Sequence, residues 1–292
     1  MNKKRLQAQS PTTHTYFSQR LRLQYIDWGN DHLSHLLLIH GIRDHSRSWD
    51  RVAQVFQEDF HVVVPDLRGH GDSDWSTGST YSYLEYVCDI EQLVRQAKLD
   101  NVNIVAHSMG GTIAALFAGI YPERIGRLAM IEPIGLYPDP FKDRPRERLA
   151  HWIAGNRELA GRIPKRYKSV EEAYQRMQTA NPHLEPEQAR YLTIHGSNQN
   201  EDGTYSWKFD NYTRSGSPYD VTEDDSKALW KLISCPVLIV NSRHGYPHRI
   251  GQDDTLRHFR HVELSVVENA GHWTHHDQLN EVTRLLGDFL KK

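Results

Sequence analysis

Cysteine is scarce: the 292 residues hold two, Cys88 and Cys235. They are too few and too far apart for a disulfide framework or a thiolate zinc site. An excess of one charge is missing too. The chain has 35 Lys and Arg against 37 Asp and Glu, a formal net charge of -2, so bulk electrostatics favour no nucleic-acid partner. No apolar run approaches the roughly 20 residues of a membrane span. The basic start Lys3-Lys4-Arg5 runs into Gln7, Gln9 and Ser10 rather than an apolar stretch, so no secretory leader is expected. Internal repeats and low-complexity segments are lacking. These absences lead to the expectation of a soluble cytoplasmic protein with no nucleic-acid or membrane partner, its oligomeric state left open.

What is present is an alternation of short aliphatic runs with amphipathic helical segments, the pattern of a mostly parallel sheet covered on both faces. Thr15-Tyr16-Phe17 and Leu21 to Ile26 read as two antiparallel strands around a polar turn. Buried-type strands follow at Leu36 to Ile39, Val62 to Val64, Val102 to Val105 and Leu128 to Ile131, then at Val237 to Val240 and Val262 to Val267. Helices are expected near Trp49 to Phe56, Tyr83 to Ala97, Thr112 to Tyr121 and His276 to Leu290. Between Glu132 and Cys235 the character changes to Arg, Tyr, Pro and Glu, with helical pieces near Arg146 to Ala160, Val170 to Ala180 and Glu187 to His195. So long a stretch without a sheet strand is too much for one loop. The predicted organisation is an α/β core over 1–133 and 235–292 with a helical cap over 134–234. Trp152, Trp207 and Trp230 supply the cap with aromatic surface, and it would cover the sheet edge where open α/β sheets bind ligands.

The chemistry-bearing stretch is Ala106-His107-Ser108-Met109-Gly110-Gly111, set between the run Val102 to Val105 and the helical run Thr112 to Tyr121. A strand turning sharply into a helix with serine at the apex presents a nucleophile. Small residues two positions either side, here Ala106 and Gly110, make that turn possible. The Met109 N–H, at a helix N-terminus, would face a developing oxyanion. His40-Gly41-Ile42 follows the third strand, and the Ile42 N–H would be the second oxyanion donor. Asp66-Leu67-Arg68-Gly69-His70-Gly71-Asp72-Ser73 reads as a loop support. The base candidate is His272 in Gly271-His272-Trp273, after the last strand. A metal site of the His272-x-x-His275-His276 kind is conceivable, but no Cys or carboxylate stands at ligand spacing; no metal and no cofactor is expected.

These motifs, in this order and over nearly the whole chain, resemble the α/β-hydrolase superfamily. Asp202 to Asp210 (Asp-Gly-Thr-Tyr-Ser-Trp-Lys-Phe-Asp) looks like the cap of its serine-hydrolase-like esterase branch. The resemblance implies an α/β-hydrolase fold with an eight-stranded type of sheet and a triad in the order Ser, acid, His. Most members carry the acid as an aspartate a few residues after the penultimate strand. This chain has Asn241-Ser242-Arg243-His244-Gly245 there, the expected position falling on or beside Gly245, with no carboxylate before Asp253. Glu132 ends the strand Leu128 to Ile131, where a branch of haloalkane dehalogenases and a coelenterazine luciferase are similar in placing a glutamate. Either Glu132 or Asp253 could serve, and Glu132 is preferred because a carboxylate leaving a buried strand needs a donating partner.

The reading is therefore a serine hydrolase cleaving a small to medium carboxylic ester, with Ser108 as nucleophile, His272 as base, Glu132 as acid, and Ile42 and Met109 as oxyanion donors. Ser108 in place of aspartate argues against dehalogenase or epoxide hydrolase chemistry. Trp49, Trp75, Trp152, Trp273 and Arg43 are candidate pocket residues, with Arg43 and Asp44 able to meet a polar group or each other. A C–C bond hydrolase using the same triad, or a non-catalytic binding homologue, are the alternatives.

Overall fold

The computed structural model describes residues 10–78, 80–135, 140–252 and 254–292. The chain opens on a hairpin of β1 (Thr12–Ser18) and β2 (Leu21–Asp27). Its two turn residues, Gln19 and Arg20, both take positive φ (47° and 71°) without glycine, as a two-residue turn matched to the strand twist requires. Then come β3 (His35–Ile39), α1 (Asp50–Phe56), β4 (His61–Pro65), α2 (Tyr83–Gln96), β5 (Val102–His107), α3 (Met109–Ile120) and β6 (Ile125–Ile131). A helical section follows with α4 (Pro145–Ala160), α5 (Val170–Ala180), α6 (Pro186–Gly196), β7 (Ser197–Gln199), β8 (Tyr205–Trp207) and α7 (Glu223–Trp230). The chain closes with β9 (Val237–Ser242), β10 (Val262–Val267), α8 (Thr274–Asp277) and α9 (Leu279–Leu290).

Eight strands pair in the order β1-β2-β4-β3-β5-β6-β9-β10. β1–β2 and β2–β4 are antiparallel and every other pair is parallel. The central parallel strands read as continuous aliphatic runs because both their faces are covered. Side-chain alternation shows this in β3: Leu37 and Ile39 face the core under α2 and α3, whereas Leu36 and Leu38 face the core under α1 and α9. β7 and β8 form a separate two-stranded ribbon and add nothing to the main sheet. No helix among the described residues is long and apolar enough to cross a membrane.

Each strand read from the sequence is present. Three details differ. The helix expected over His276 to Leu290 is broken at Gln278 (φ -132, ψ 56) into α8 and α9. Helix α7 was not foreseen; its start is fixed by a capping box in which Thr222 and Asp225 bond each other's backbone N–H. Trp230, expected to build the cap, is instead buried in the sheet-side core and stacked on Phe259 at 5.2 Å between centroids.

Candidate active site

Ser108 sits between β5 and α3 with φ 55 and ψ -122, a conformation that L residues with a Cβ avoid. The turn survives because its surroundings leave one solution. The Ser108 N–H donates to Ile131 O at 3.0 Å, and Gly111 N–H donates to Ser108 O at 2.9 Å. A Cβ at position 110 would lie 2.5 Å from His40 O, so glycine is required there. The strained turn lifts the serine to the carboxyl edge of the sheet.

His272 comes from the turn after β10. Its Nε2 is 2.8 Å from Ser108 Oγ and its Nδ1 is 3.3 Å from Glu132 Oε2. The carboxylate can only accept, which puts the proton on Nδ1 and leaves Nε2 to accept from the serine hydroxyl. Glu132 leaves the end of β6 with φ 48 and is fully buried. Its Oε1 accepts from Ser242 N–H at 2.6 Å and its Oε2 from Tyr246 N–H at 2.8 Å. Arg249 Nε lies 3.3 Å from Oε1, and its Nη2 donates to Ser242 O at 2.8 Å. A buried carboxylate needs this much compensation.

The departure at Gly245 has a steric meaning. A Cβ there would stand 2.0 Å from Glu132 Oε2. The glutamate carboxylate occupies the space that a side chain at the commoner position would take. Asp253, the alternative acid, lies outside the described residues.

The 40–42 loop, the candidate for the oxyanion, is set by His40. Its Nε2 accepts from Leu67 N–H at 3.0 Å, so Nδ1 carries the proton and donates to Gly41 O at 2.7 Å. Burial holds this ring well below its usual pKa, neutral as the bonding demands. The loop crosses close to the serine: a Cβ at Gly41 would lie 3.0 Å from Ser108 Cβ. Met109 begins α3, so its N–H has no intrahelical acceptor. Ile42 is 38% exposed and precedes Arg43, which takes a positive φ of 61°. The 66–73 loop is a support as expected: Asp66 accepts from Ser46 and Asp72 N–H at 2.6 and 2.9 Å, and buried Arg68 grips Asp89 at 2.6 and 2.8 Å.

The candidate pocket residues separate. Arg43 and Trp273 line one cavity together with Asp44, His45, Met177, Leu192 and Phe209. Arg43 follows Ile42 and Trp273 follows His272 in the chain, but neither Ser108 nor His272 lines this cavity. Arg43 lies 5.0 Å above the Phe209 ring, and burial first, then Arg214 and Arg162, pull its pKa down to about 10. Trp49 is a core residue instead, fully buried between α1 and α9 and stacked on His275 at 4.6 Å. Trp152 lines a different cavity with Arg148, Arg214 and Tyr219, its Nε1 donating to Gly216 O at 3.0 Å. Trp75 is 41% exposed and lines neither cavity. An apolar ring looks alike in sequence whichever of these surfaces it joins.

Arg249 and His107 were not singled out by role. His107 Nε2 is 2.8 Å from His272 O, so the residue before Ser108 holds the backbone of His272. His107 lies inside the serine motif, whereas nothing along the chain marks Arg249.

Sheet order, helices on both faces and the serine turn at the carboxyl edge define the class of an α/β hydrolase. The chain belongs to the α/β-hydrolase fold family, whose sequence profile matches residues 34–279. It is 24% identical over 278 residues to the serine hydrolase-like protein of Danio rerio, covering 90% of this chain and 83% of that protein. It is 27% identical over 269 residues to the 3-hydroxybutyrate-oligomer hydrolase of Cupriavidus necator, covering 86% and 87%. Among solved structures, a hypothetical protein of Pseudomonas aeruginosa superposes with a TM-score of 0.85 at 23% identity, covering 96% of this chain and 99% of that one.

Proposed function

We propose that this hydrolase cleaves a carboxylic ester of a small to medium molecule through an acyl-enzyme. The observation that carries the reading is the hydrogen-bonded chain Ser108 Oγ–His272 Nε2–His272 Nδ1–Glu132, at 2.8 and 3.3 Å. In the first half-reaction Ser108 Oγ attacks the acyl carbon and His272 Nε2 takes its proton. Glu132 steadies the imidazolium, and the Met109 and Ile42 N–H groups hold the oxyanion. The C–O bond to the alcohol then breaks, and the alcohol leaves with the proton from His272. In the second half-reaction water loses a proton to His272, attacks the acyl carbon and releases the acid, and Ser108 regains its proton. The mechanism calls for no cofactor.

Arg43 and Trp273 are assigned to the pocket for the substrate. The helical section between β6 and β9 serves as the cap over it. Support for that placing comes from Trp273, which packs on the small cluster Leu184, Ala189 and Leu192, and from His45 Nε2 at 3.1 Å from Leu192 O.

A fluorophosphonate probe is expected to label the wild-type protein and to leave Ser108→Ala unlabelled. Absence of labelling in the wild type would reject an acyl-enzyme mechanism and favour a binding protein. A panel of p-nitrophenyl esters from acetate to octanoate then reports the acyl length, with turnover expected at the short to middle members. Labelling without turnover of any ester would turn the proposal toward C–C bond hydrolysis.

A further inference from the structure

Behind the serine and its histidine lies a second cluster that ester cleavage does not use. Asp44, His107 and His275 come from three distant parts of the chain, and their ligand atoms lie within 4.8 Å of one another. All three are buried, with 5%, 1% and 1% of their surface exposed. Asp44 Oδ2, His107 Nδ1 and both ring nitrogens of His275 have no hydrogen-bond partner among the described residues. Buried polar atoms are seldom left without a partner, and three side chains that each bring one ligand atom to one spot need an explanation.

The protonation pattern points to a cation. His107 Nε2 faces the carbonyl of His272 at 2.8 Å, and a carbonyl can only accept. That nitrogen therefore carries the proton, and the Nδ1 lone pair is turned into the cluster. The same arrangement, one ring nitrogen bonded to a carbonyl and the other free, fixes the tautomer of metal-ligating histidines. Asp44 is held by its neighbours: its Oδ1 accepts from His45 N–H at 2.9 Å, and the Ser48 hydroxyl lies beside the carboxylate. The His275 ring is held flat against Trp49 at 4.6 Å between centroids.

We infer that Asp44, His107 and His275 form a binding site for one divalent transition-metal ion of the zinc or cobalt kind. Two imidazoles and a carboxylate suit such ions and give three protein ligands with one open position. Bond lengths of about 2.0–2.2 Å put tetrahedral ligand atoms roughly 3.4 Å apart, so each side chain needs to move by under about 1 Å. Asp44 also lies on the wall of the cavity shared with Arg43 and Trp273. Through His107 an ion here would stiffen the backbone of His272 without touching the reacting atoms.

The test is direct binding and does not depend on ester cleavage. Metal-free protein is titrated with Co²⁺, followed by visible absorption and equilibrium dialysis. The expected result is one ion per chain with the intense bands of four-coordinate cobalt. Affinity should fall by at least tenfold in Asp44→Asn and His275→Gln, and stay unchanged in Ser108→Ala and His272→Ala. No binding by the wild type would overturn the site, the cluster then bridging water only. Undiminished binding in both ligand variants, or loss in His272→Ala, would also overturn it by moving the ion to the serine–histidine pair. X-ray absorption of the zinc-loaded wild type, expected to show two imidazoles and oxygen, decides the matter should a variant fail to fold.

Discussion

Glu132→Gln is expected to lower ester turnover by about four orders of magnitude, the scale of losing the acid behind a triad histidine. Glutamine keeps the size of the side chain but offers an amide N–H toward His272 Nδ1. The histidine then moves its proton to Nε2, where it can no longer accept from Ser108. The change also leaves Arg249 facing a neutral amide in a buried place, and breaking such a pair costs about 3–5 kcal/mol. Rates should therefore be measured below the melting transition of the variant, recorded separately. Asp253→Asn is expected to keep wild-type turnover. The assignment fails if Glu132→Gln stays within tenfold of wild type while Asp253→Asn abolishes the reaction.

Mild acid is expected to destabilise the fold sharply. Burial holds His45 and His276 down to about 3 and His70 to about 4, with His40 well below its usual value. In the unfolded chain each titrates near 6.5, so below that pH the unfolded state binds protons that the folded state refuses. Each such histidine costs about 1.4 kcal/mol per pH unit until its folded pKa is reached. Asp44 acts in the opposite sense, since burial raises its carboxyl to about 7. It is protonated in the folded protein while the unfolded aspartate stays ionised, so it adds stability as pH falls from 7. Asp50, Asp66 and Asp89, also raised by burial, act the same way by smaller shifts. Four histidines outweigh them. The net loss between pH 6.5 and 5 is on the order of 4 kcal/mol, a large part of the 5–15 kcal/mol available to a folded protein. For a chain of this size that is roughly a 10 °C drop in Tm. Thermal melts in metal-free buffer at pH 7.5 and 5.0 measure it, and a Tm that holds or rises at pH 5.0 would contradict it.

The sheet was legible in the sequence because strands buried on both faces must be aliphatic throughout, as Leu36 to Ile39 and Val62 to Val64 are. Ser108, His272 and Glu132, which the structure brings together, could be picked out because each ends or follows a strand, where sequence position maps onto the carboxyl edge of the sheet. Arg249 was not, because its meaning depends on a carboxylate more than a hundred residues away. The same holds for Asp44 and His107, which meet His275 only after the loop following β3, the end of β5 and α8 come together. Ligand spacing along the chain, looked for around His272, His275 and His276, could not reveal a cluster built across it. Tryptophans misled for a different reason: Trp49, Trp152, Trp230 and Trp273 are equally apolar, and their fates differ by the neighbours that folding supplies. Helix α7 was hidden by its acidic start, Glu223-Asp224-Asp225, although Thr222 three residues before Asp225 was a usable cap signal.

The clash at Gly245 governs how this site can change over generations. A carboxylate behind the histidine has two addresses, and they exclude one another in space, since a side chain at 245 would begin 2.0 Å from Glu132 Oε2. Gly245→Asp alone is therefore expected to lose both activity and stability, measured by ester turnover and melting. Removing Glu132 first leaves the base without an acid. On the role proposed for Glu132, neither single step is expected to preserve activity, so a lineage with the carboxylate on β6 is expected to be held there by sterics rather than by any superiority of the position. Only a paired change, Glu132→Gly with Gly245→Asp, crosses it. Retained activity in Gly245→Asp alone would remove the barrier.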